Sequence, residues 1–271
     1  MESAISKALR LETEPVALIF TNEKPEGAAQ FKPGTQSCVM FMVASAARGK
    51  TAVFDQETYA CPGGGVGLGF GNTYMKFPGG VPGFCRFLST GNENDPAGKA
   101  ISEGMKAKGA PAAFVDDFLH GERYKQTPDL AEQFVKALPI TEIPTKYVAM
   151  KPLSKVDPVK DEPVSVTFLV NPDQLSALVI LANYDRPDTE NTAVPHAAAC
   201  QVVGILSYKE AQSENPRCLI GLTDISARKF LKGQGFADRL SFTIPFRRLL
   251  QMESNVEGSF LQGNTWAGVL E

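Results

Sequence analysis

The stretch Glu14-Pro15-Val16-Ala17-Leu18-Ile19-Phe20 has an echo further along the chain, Glu162-Pro163-Val164-Ser165-Val166-Thr167-Phe168. Each run is led by a proline and continues with apolar or β-branched residues. This pattern is typical of a buried strand, because proline is tolerated at the first position of a strand. The two runs lie 148 residues apart (162 − 14 = 148). They predict two equivalent strands in two similar halves of the chain.

Cysteines follow both predicted strands in the same order. Cys38 and Cys200 each open an apolar stretch with helical spacing, and a second cysteine follows in each half, Cys61 and Cys218. The sequence therefore predicts an internal duplication, with two α/β halves related by a pseudo-twofold axis. Because two helix-compatible stretches in any α/β protein could mimic this match, a chance likeness stays the alternative.

The expected organisation follows from this repeat. We expect a first α/β half with a glycine-rich loop over residues 1–91, a connecting helical and extended segment over residues 92–160, and a second α/β half over residues 161–271, with both halves in one compact domain. Predicted strands and helices alternate along the chain. This alternation favours an α/β or α+β fold with a mixed sheet.

Two helix starts are marked by a capping residue followed by proline. Thr127-Pro128 and Asn171-Pro172 have this form, since threonine and asparagine suit the N-cap and proline suits the first helical position. In the first of these helices we expect Leu130, Phe134 and Leu138 to lie on one face.

Composition excludes several classes of protein. The 271 residues include 27 Lys+Arg and 30 Asp+Glu, a net charge of 27 − 30 = −3, and 43% hydrophobic residues. This apolar content excludes a disordered chain, and no basic block of the kind that binds nucleic acid occurs. The N-terminus lacks a signal-peptide pattern and the apolar runs are too short to cross a membrane. We expect a cytoplasmic protein with neither nucleic acid nor membrane as a partner.

The five cysteines are the main candidates for chemistry. An odd number in a cytoplasmic chain favours free thiols or metal ligands over disulfides. Cys38, Cys61, Cys200 and Cys218 are candidate metal ligands at the pseudo-twofold axis, which leaves Cys85 over. Because iron–sulfur clusters are held by thiolates, we expect an iron–sulfur cluster, with [4Fe–4S] as the expected type, and a redox partner protein. No C-x-x-C pair occurs, so buried thiols without a ligand stay an alternative.

A glycine run follows Cys61-Pro62. Gly63, Gly64 and Gly65 are candidate cofactor-binding residues, because consecutive glycines let a ligand approach backbone N–H groups. The segment fits neither G-x-G-x-x-G nor G-K-[ST], which disfavours a nucleotide loop. A binding module for a small anionic ligand, or a tight turn between packed elements, are the alternatives.

A thiol enzyme is a further alternative. His196 precedes Cys200 by four residues, so on one continuous helix the two would share a face, and either Cys61 or Cys200 could then act as the nucleophile. The sequence does not decide whether the protein is an enzyme. Four arginines near the cysteines could balance an anionic cluster or be ordinary surface residues: Arg48, Arg86, Arg217 and Arg228.

The chain resembles a prokaryotic family catalogued as domain of unknown function 169. The residues that carry the resemblance are Pro15-Val16-Ala17, Cys38, Arg48-Gly49, the segment from Cys61 to Gly69, His196 and Cys200. The resemblance spans most of the chain and implies a family assignment without an established reaction. Members come mostly from bacteria and archaea, often anaerobes, so the resemblance admits an oxygen-sensitive cofactor.

Overall fold

A seven-stranded mixed sheet organises the fold. Its strands are β1 (Val16–Thr21), β2 (Ala52–Phe54), β3 (Tyr147–Pro152), β4 (Pro163–Val170), β5 (Thr192–Ala193), β6 (Cys218–Gly221) and β7 (Leu240–Pro245). The order across the sheet is β2-β3-β1-β4-β7-β6-β5. Neighbouring strands are antiparallel, except for the parallel pair β5 and β6. The predicted mixed sheet with helices is confirmed.

Helices and strands alternate along only part of the chain, since five helices follow one another between β2 and β3 and no α-helix separates β3 from β4. They are α1 (Ala4–Ala8), α2 (Val39–Ala47), α3 (Pro62–Leu68), α4 (Gly80–Phe87), α5 (Gly98–Ala107), α6 (Ala112–His120), α7 (Pro128–Ala137), α8 (Pro172–Asn183), α9 (Ala199–Gln201), α10 (Ser207–Ala211), α11 (Ile225–Lys232), α12 (Phe246–Ser254) and α13 (Asn264–Val269). A π-helical turn, Val202–Leu206, joins α9 to α10 without a break. None of the helices has the length and hydropathy needed to cross a membrane.

The computed structural model describes all residues from 1 to 271, and they form two units. The larger unit comprises Met1–Gly71 and Thr141–Glu271, and the smaller unit comprises Asn72–Ile140. These bounds differ from the predicted ones, since the smaller unit begins inside the predicted first half and ends inside the predicted connecting segment.

Helices cover both faces of the sheet in the larger unit. Val16 and Leu18 of β1 pack with residues of α2, α9 and α11. Ala17 and Ile19 pack on the other face with residues of α1, α8 and α12. Successive side chains of a strand point to opposite faces, so one apolar strand contributes to both cores. The unit is therefore built in three layers, helix, sheet and helix.

Both predicted helix starts are confirmed. The side chain of Thr127 accepts a hydrogen bond at the start of α7, and Asn171 forms a capping box at the start of α8. The buried residues of α7 are Ala131 and Val135, one position along from Leu130 and Phe134, and Leu130 is 43% exposed.

The smaller unit is helical and has an aromatic core. The rings of Tyr74 and Phe84 stack with their centroids 3.9 Å apart, and Phe77 contacts Phe84 edge-on. The Asn92 amide donates hydrogen bonds to two main-chain carbonyls of this unit, at 3.0 and 3.1 Å. These contacts give the unit a core of its own.

Candidate functional site

Three of the four predicted ligand cysteines lie together on one face of the sheet. Cys38 is the N-cap of α2, Cys61 is the N-cap of α3, and Cys200 lies in α9. Cys38 and Cys200 pack in the same apolar cluster. The thiol of Cys200 interacts electrostatically with both of the other thiols. The fold therefore gathers three thiols, each at the start of a different helical segment.

Backbone N–H groups point at these sulfur atoms. The N–H of Gly64 donates to Sγ of Cys61 at 3.3 Å. The N–H of Met40 lowers the pKa of Cys38 and the N–H of Gln201 lowers the pKa of Cys200, although the Cys38 side chain makes no capping hydrogen bond. Such donors stabilise a thiolate or the sulfur of a bound cluster, because each N–H group places a partial positive charge next to the sulfur atom.

The thiols are nevertheless held in the protonated form. Burial raises the pKa of Cys38 to about 12, raises the pKa of Cys61, and raises the pKa of Cys200 well above its usual value. The nearness of a second thiol raises the pKa of Cys38 and Cys200 further, because two thiolates side by side would repel one another. A bound cation would lower the pKa of these thiols, because metal ligation requires and stabilises the thiolate.

Asp224 belongs to the same site, although the sequence analysis did not select it. It is the N-cap of α11, where its Oδ1 accepts from the N–H of Ala227 at 2.7 Å. Its Oδ2 accepts from the N–H of Ala199 at 2.6 Å, directly before Cys200. The negative charge of Asp224 raises the pKa of all three thiols. An aspartate before a helical stretch signals an N-cap, but no spacing in the sequence links it to the cysteines.

The predicted glycine-rich loop is a helix. Gly63, Gly64 and Gly65 lie in the first turn of α3. Gly64 contacts Cys61 through its N–H, and the carbonyl oxygen of Gly63 accepts from Sγ of Cys200 at 3.4 Å. The N–H of Gly65 donates to the carbonyl of Cys61, within the helix. The predicted loop is therefore a helical turn whose groups bond to the cysteine segments, and cofactor binding by these glycines stays a prediction.

Glycine allows α3 to approach the segment that carries Cys200. A Cβ atom on Gly67 would lie 2.9 Å from Sγ of Cys200, and one on Gly204 would lie 1.9 Å from the carbonyl oxygen of Gly67. Real side chains do not reach such distances. The glycines therefore set the separation between α3 and the helical segment of Cys200.

The fourth predicted ligand lies elsewhere. Cys218 begins β6 and packs in the cluster on the opposite face of the sheet, where its Sγ lies 3.7 Å from Sδ of Met252. The prediction of a four-thiolate site is corrected by strand geometry, because alternation directs the side chain of Cys218 away from the other three cysteines.

Cys85 lies in α4 of the smaller unit. No group of three or more His, Cys, Asp or Glu side chains is arranged to hold a single metal ion in this conformation.

The predicted pairing of His196 with Cys200 on one helix is wrong. The helix begins at Ala199, and His196 is exposed in a bend before it. The four arginines are engaged in local contacts: Arg48 with Gln234 and the ring of Phe236, Arg86 with Asp95, Arg217 with Glu210, and Arg228 with the carbonyl of Ala237.

Of the comparisons with known proteins, only the one with family models gives a match. No curated protein and no solved structure gives a significant match to the chain. The DUF169 family, described as uncharacterised ArCR, matches residues 4–255 of the 271. This match covers nearly the whole chain, including the three cysteines and Asp224. The chain belongs to the DUF169 family.

Proposed function

We propose that the protein binds an iron–sulfur cluster through Cys38, Cys61 and Cys200 and uses it in electron transfer or redox sensing. The observation that supports this proposal is the gathering of three thiols at helix starts, of which Cys61 accepts a hydrogen bond from the N–H of Gly64. In this proposal the protein is cytoplasmic and exchanges electrons with a redox partner protein. The expected cluster type is [4Fe–4S].

A cluster places its ligands further apart than a single ion does. Thiolates around one zinc ion lie about 2.3 Å from the metal, and hence roughly 3.8 Å from one another, whereas cluster ligands sit at the corners of a larger body. The side chains as they stand form no group that could hold a metal ion, so in this proposal the three thiols rearrange around the cluster. Cys38 and Cys61 are half-buried while Cys200 is buried, so one side of a cluster would be shielded and the other would face a partner.

We also propose that the larger unit arose by duplication, and the sheet supports this. From its centre outwards, the first half has the order β1-β3-β2 and the second has β4-β7-β6. In the central pair, Ala17 is opposite Val166 and Leu18 is opposite Ser165. The offset of 148 makes Ser165 equivalent to Ala17 (17 + 148 = 165) and Val166 equivalent to Leu18. A twofold axis between β1 and β4 therefore exchanges the two pairs.

The same symmetry relates the site residues. It makes α2 equivalent to the segment that begins with α9, so that Cys38 corresponds to Cys200. It makes α3 equivalent to α11, so that Cys61 corresponds to Asp224. These last two are N-caps whose side chains accept from the N–H three residues on, Gly64 and Ala227. Asp224, and not Cys218, thus takes the place of Cys61 in the second half.

The thiol-enzyme alternative receives less support. A cysteine nucleophile works as the thiolate, so a catalytic cysteine needs a lowered pKa. Burial raises the pKa of Cys61 and of Cys200 instead, and His196 does not share their helices. We therefore keep the cluster as the proposed function.

Anaerobic purification followed by iron and acid-labile sulfide analysis tests the proposal. We expect iron and sulfide in the wild-type chain, and their loss in Cys38→Ser, Cys61→Ser and Cys200→Ser. Cys85→Ser is the matched control, because this cysteine lies in the smaller unit, and it should retain both. A colourless wild-type protein without iron, even after anaerobic reconstitution with iron and sulfide, would contradict the proposal.

A further inference from the structure

We propose that a cavity between α10, α12 and the start of β4 binds a small molecule with an apolar body and a carboxylate group, and that Arg247 holds the carboxylate. None of the cysteines lines this cavity. The inference is therefore independent of the proposed cluster and concerns a second site in the larger unit.

The cavity has the size of a small-molecule site. Its volume is about 380 Å³, and sites of this kind usually measure roughly 300–1,000 Å³. It lies at the end of the sheet where β4 begins and β7 ends, since Ser165 of β4 is opposite Pro245 of β7 there. Two helices and a strand thus enclose a space large enough for a ligand.

Most of the lining is apolar and only partly covered by the protein. Val164 of β4 and Phe246 of α12 line the cavity and are half-buried, and Leu250 of α12 is 47% exposed. A ligand that covers these side chains removes apolar surface from water, which favours binding. The lining therefore suits a ligand with an apolar body.

Arg247 is the one charged residue that lines the cavity. Its Nη2 donates to the carbonyl oxygens of Ser213 and Glu214, at 2.7 and 2.8 Å, and no ion pair joins it to an acidic side chain. A guanidinium has five N–H donors, so three remain for a ligand. The two main-chain contacts hold the guanidinium in place, while its positive charge stays without a partner.

A single positive charge indicates a carboxylate rather than a doubly charged phosphate. Arginine and carboxylate form short, charge-assisted hydrogen bonds, and their planar groups match in shape. Tyr208 and Gln212 of α10 and the segment after it also line the cavity, and their hydroxyl and amide groups offer further hydrogen bonds. The cavity therefore combines an apolar wall with polar groups that can orient a carboxylate.

The test is a ligand-observed NMR titration of the full chain with three acids of this class: hexanoate, 3-phenylpropionate and indole-3-acetate. We expect saturable binding of at least one of them. The corresponding primary amide should bind at least about tenfold more weakly, and so should the acid to Arg247→Gln, because a charge-assisted hydrogen bond is lost in each case. Ala211→Leu enlarges a side chain of the lining and should weaken binding while Arg247 stays in place.

The controls separate carboxylate recognition from a general effect on the fold. Arg10→Gln removes another exposed arginine of the larger unit, which likewise donates to a main-chain carbonyl, that of Leu270, and this variant should bind the acid as wild type does. Circular dichroism verifies folding, and Arg247→Lys, which keeps the charge, replaces Arg247→Gln if the latter does not fold and should bind more weakly than wild type. The inference is overturned if none of the three acids binds saturably, or if the acid binds the Arg247 variant as tightly as it binds wild type.

Discussion

The close approach of α3 to the segment carrying Cys200 predicts a large effect of one added methyl group. In Gly204→Ala the new Cβ would lie 1.9 Å from the carbonyl oxygen of Gly67. An ordinary contact between these atoms needs more than 3 Å, so the two backbones must separate by roughly 1 Å. The carbonyl oxygen that the new Cβ would meet belongs to the backbone and not to a flexible side chain. The strain therefore falls on the backbone.

The magnitude follows from two opposing effects. Overpacking a buried contact costs typically about 1–3 kcal/mol, and the clash at Gly204 belongs at the upper end because it is with a backbone atom. Alanine is favoured over glycine in a helix by about 1 kcal/mol. We therefore expect Gly204→Ala to lower the free energy of unfolding by about 2 kcal/mol, and to weaken retention of the proposed cluster because Cys200 moves.

Urea denaturation followed by tryptophan fluorescence measures this change. Trp266 is the single tryptophan and is buried in the larger unit, with its Nε1–H donating to the carbonyl of Ala8, so the signal reports the unit that contains Gly204. Gly268→Ala is the control, since nothing lies within 4 Å of its added Cβ, and it should be neutral or stabilising by up to about 1 kcal/mol. A Gly204→Ala protein as stable as wild type would refute the packing argument.

Three further predictions concern residues away from the site. Asp185→Asn should destabilise the larger unit by about 3 kcal/mol, because it leaves the guanidinium of Arg248, 1% exposed, without its carboxylate. The hydrogen bond from Arg248 lowers the pKa of Asp185, so in wild type its contribution is complete above about pH 4 and falls as the pH drops further; urea titrations across this range should show that acid slope in wild type and not in the variant. Burial raises the pKa of Cys218 to about 12, so iodoacetamide at neutral pH should label it only after unfolding, as mass spectrometry of the labelled peptide will show, and rapid labelling of the native protein would contradict this placement. Asn171→Ala should cost about 1 kcal/mol by removing the capping box of α8, measured by thermal melting, whereas Asn171→Ser should retain most of that stability.

Local sequence signals predicted the elements well. The proline-led runs became β1 and β4, and Thr127 and Asn171 begin helices. These features depend on neighbours in the chain: an N-cap needs only the next few residues, and a buried strand needs only its own apolar run. Cys38 and Cys200 were placed correctly at helix starts for the same reason.

Which residues form the site could not be predicted from their spacing along the chain. Cys218 follows Cys200 as Cys61 follows Cys38, yet the side-chain alternation of β6 turns it to the other face. Asp224 was missed because a carboxylate and a thiol share no sequence pattern. Both errors arise where side-chain direction decides the outcome.

The division of the chain into these two units was also not predicted from the sequence. Residues 72–140 lie between α3 and β3 and form a unit of their own. They separate β3 along the chain from β1 and β2, its neighbours in the sheet. β3 therefore falls within the predicted connecting segment, residues 92–160.

The glycine run shows a similar limit. A stretch such as Pro62–Leu68 has low helix propensity, and glycine costs about 1 kcal/mol relative to alanine at each interior position. It is nevertheless helical, and the absence of a side chain at Gly67 lets this helix approach Cys200 and Gly204 closely. Tertiary packing outweighed local preference here.

The most direct measurement of the central claim is anomalous X-ray diffraction at the iron absorption edge, on crystals grown anaerobically from reconstituted protein. The account predicts an anomalous density peak bounded by the sulfur atoms of Cys38, Cys61 and Cys200. The absence of iron at this position, or a peak beside Cys218 or Cys85 instead, would contradict it.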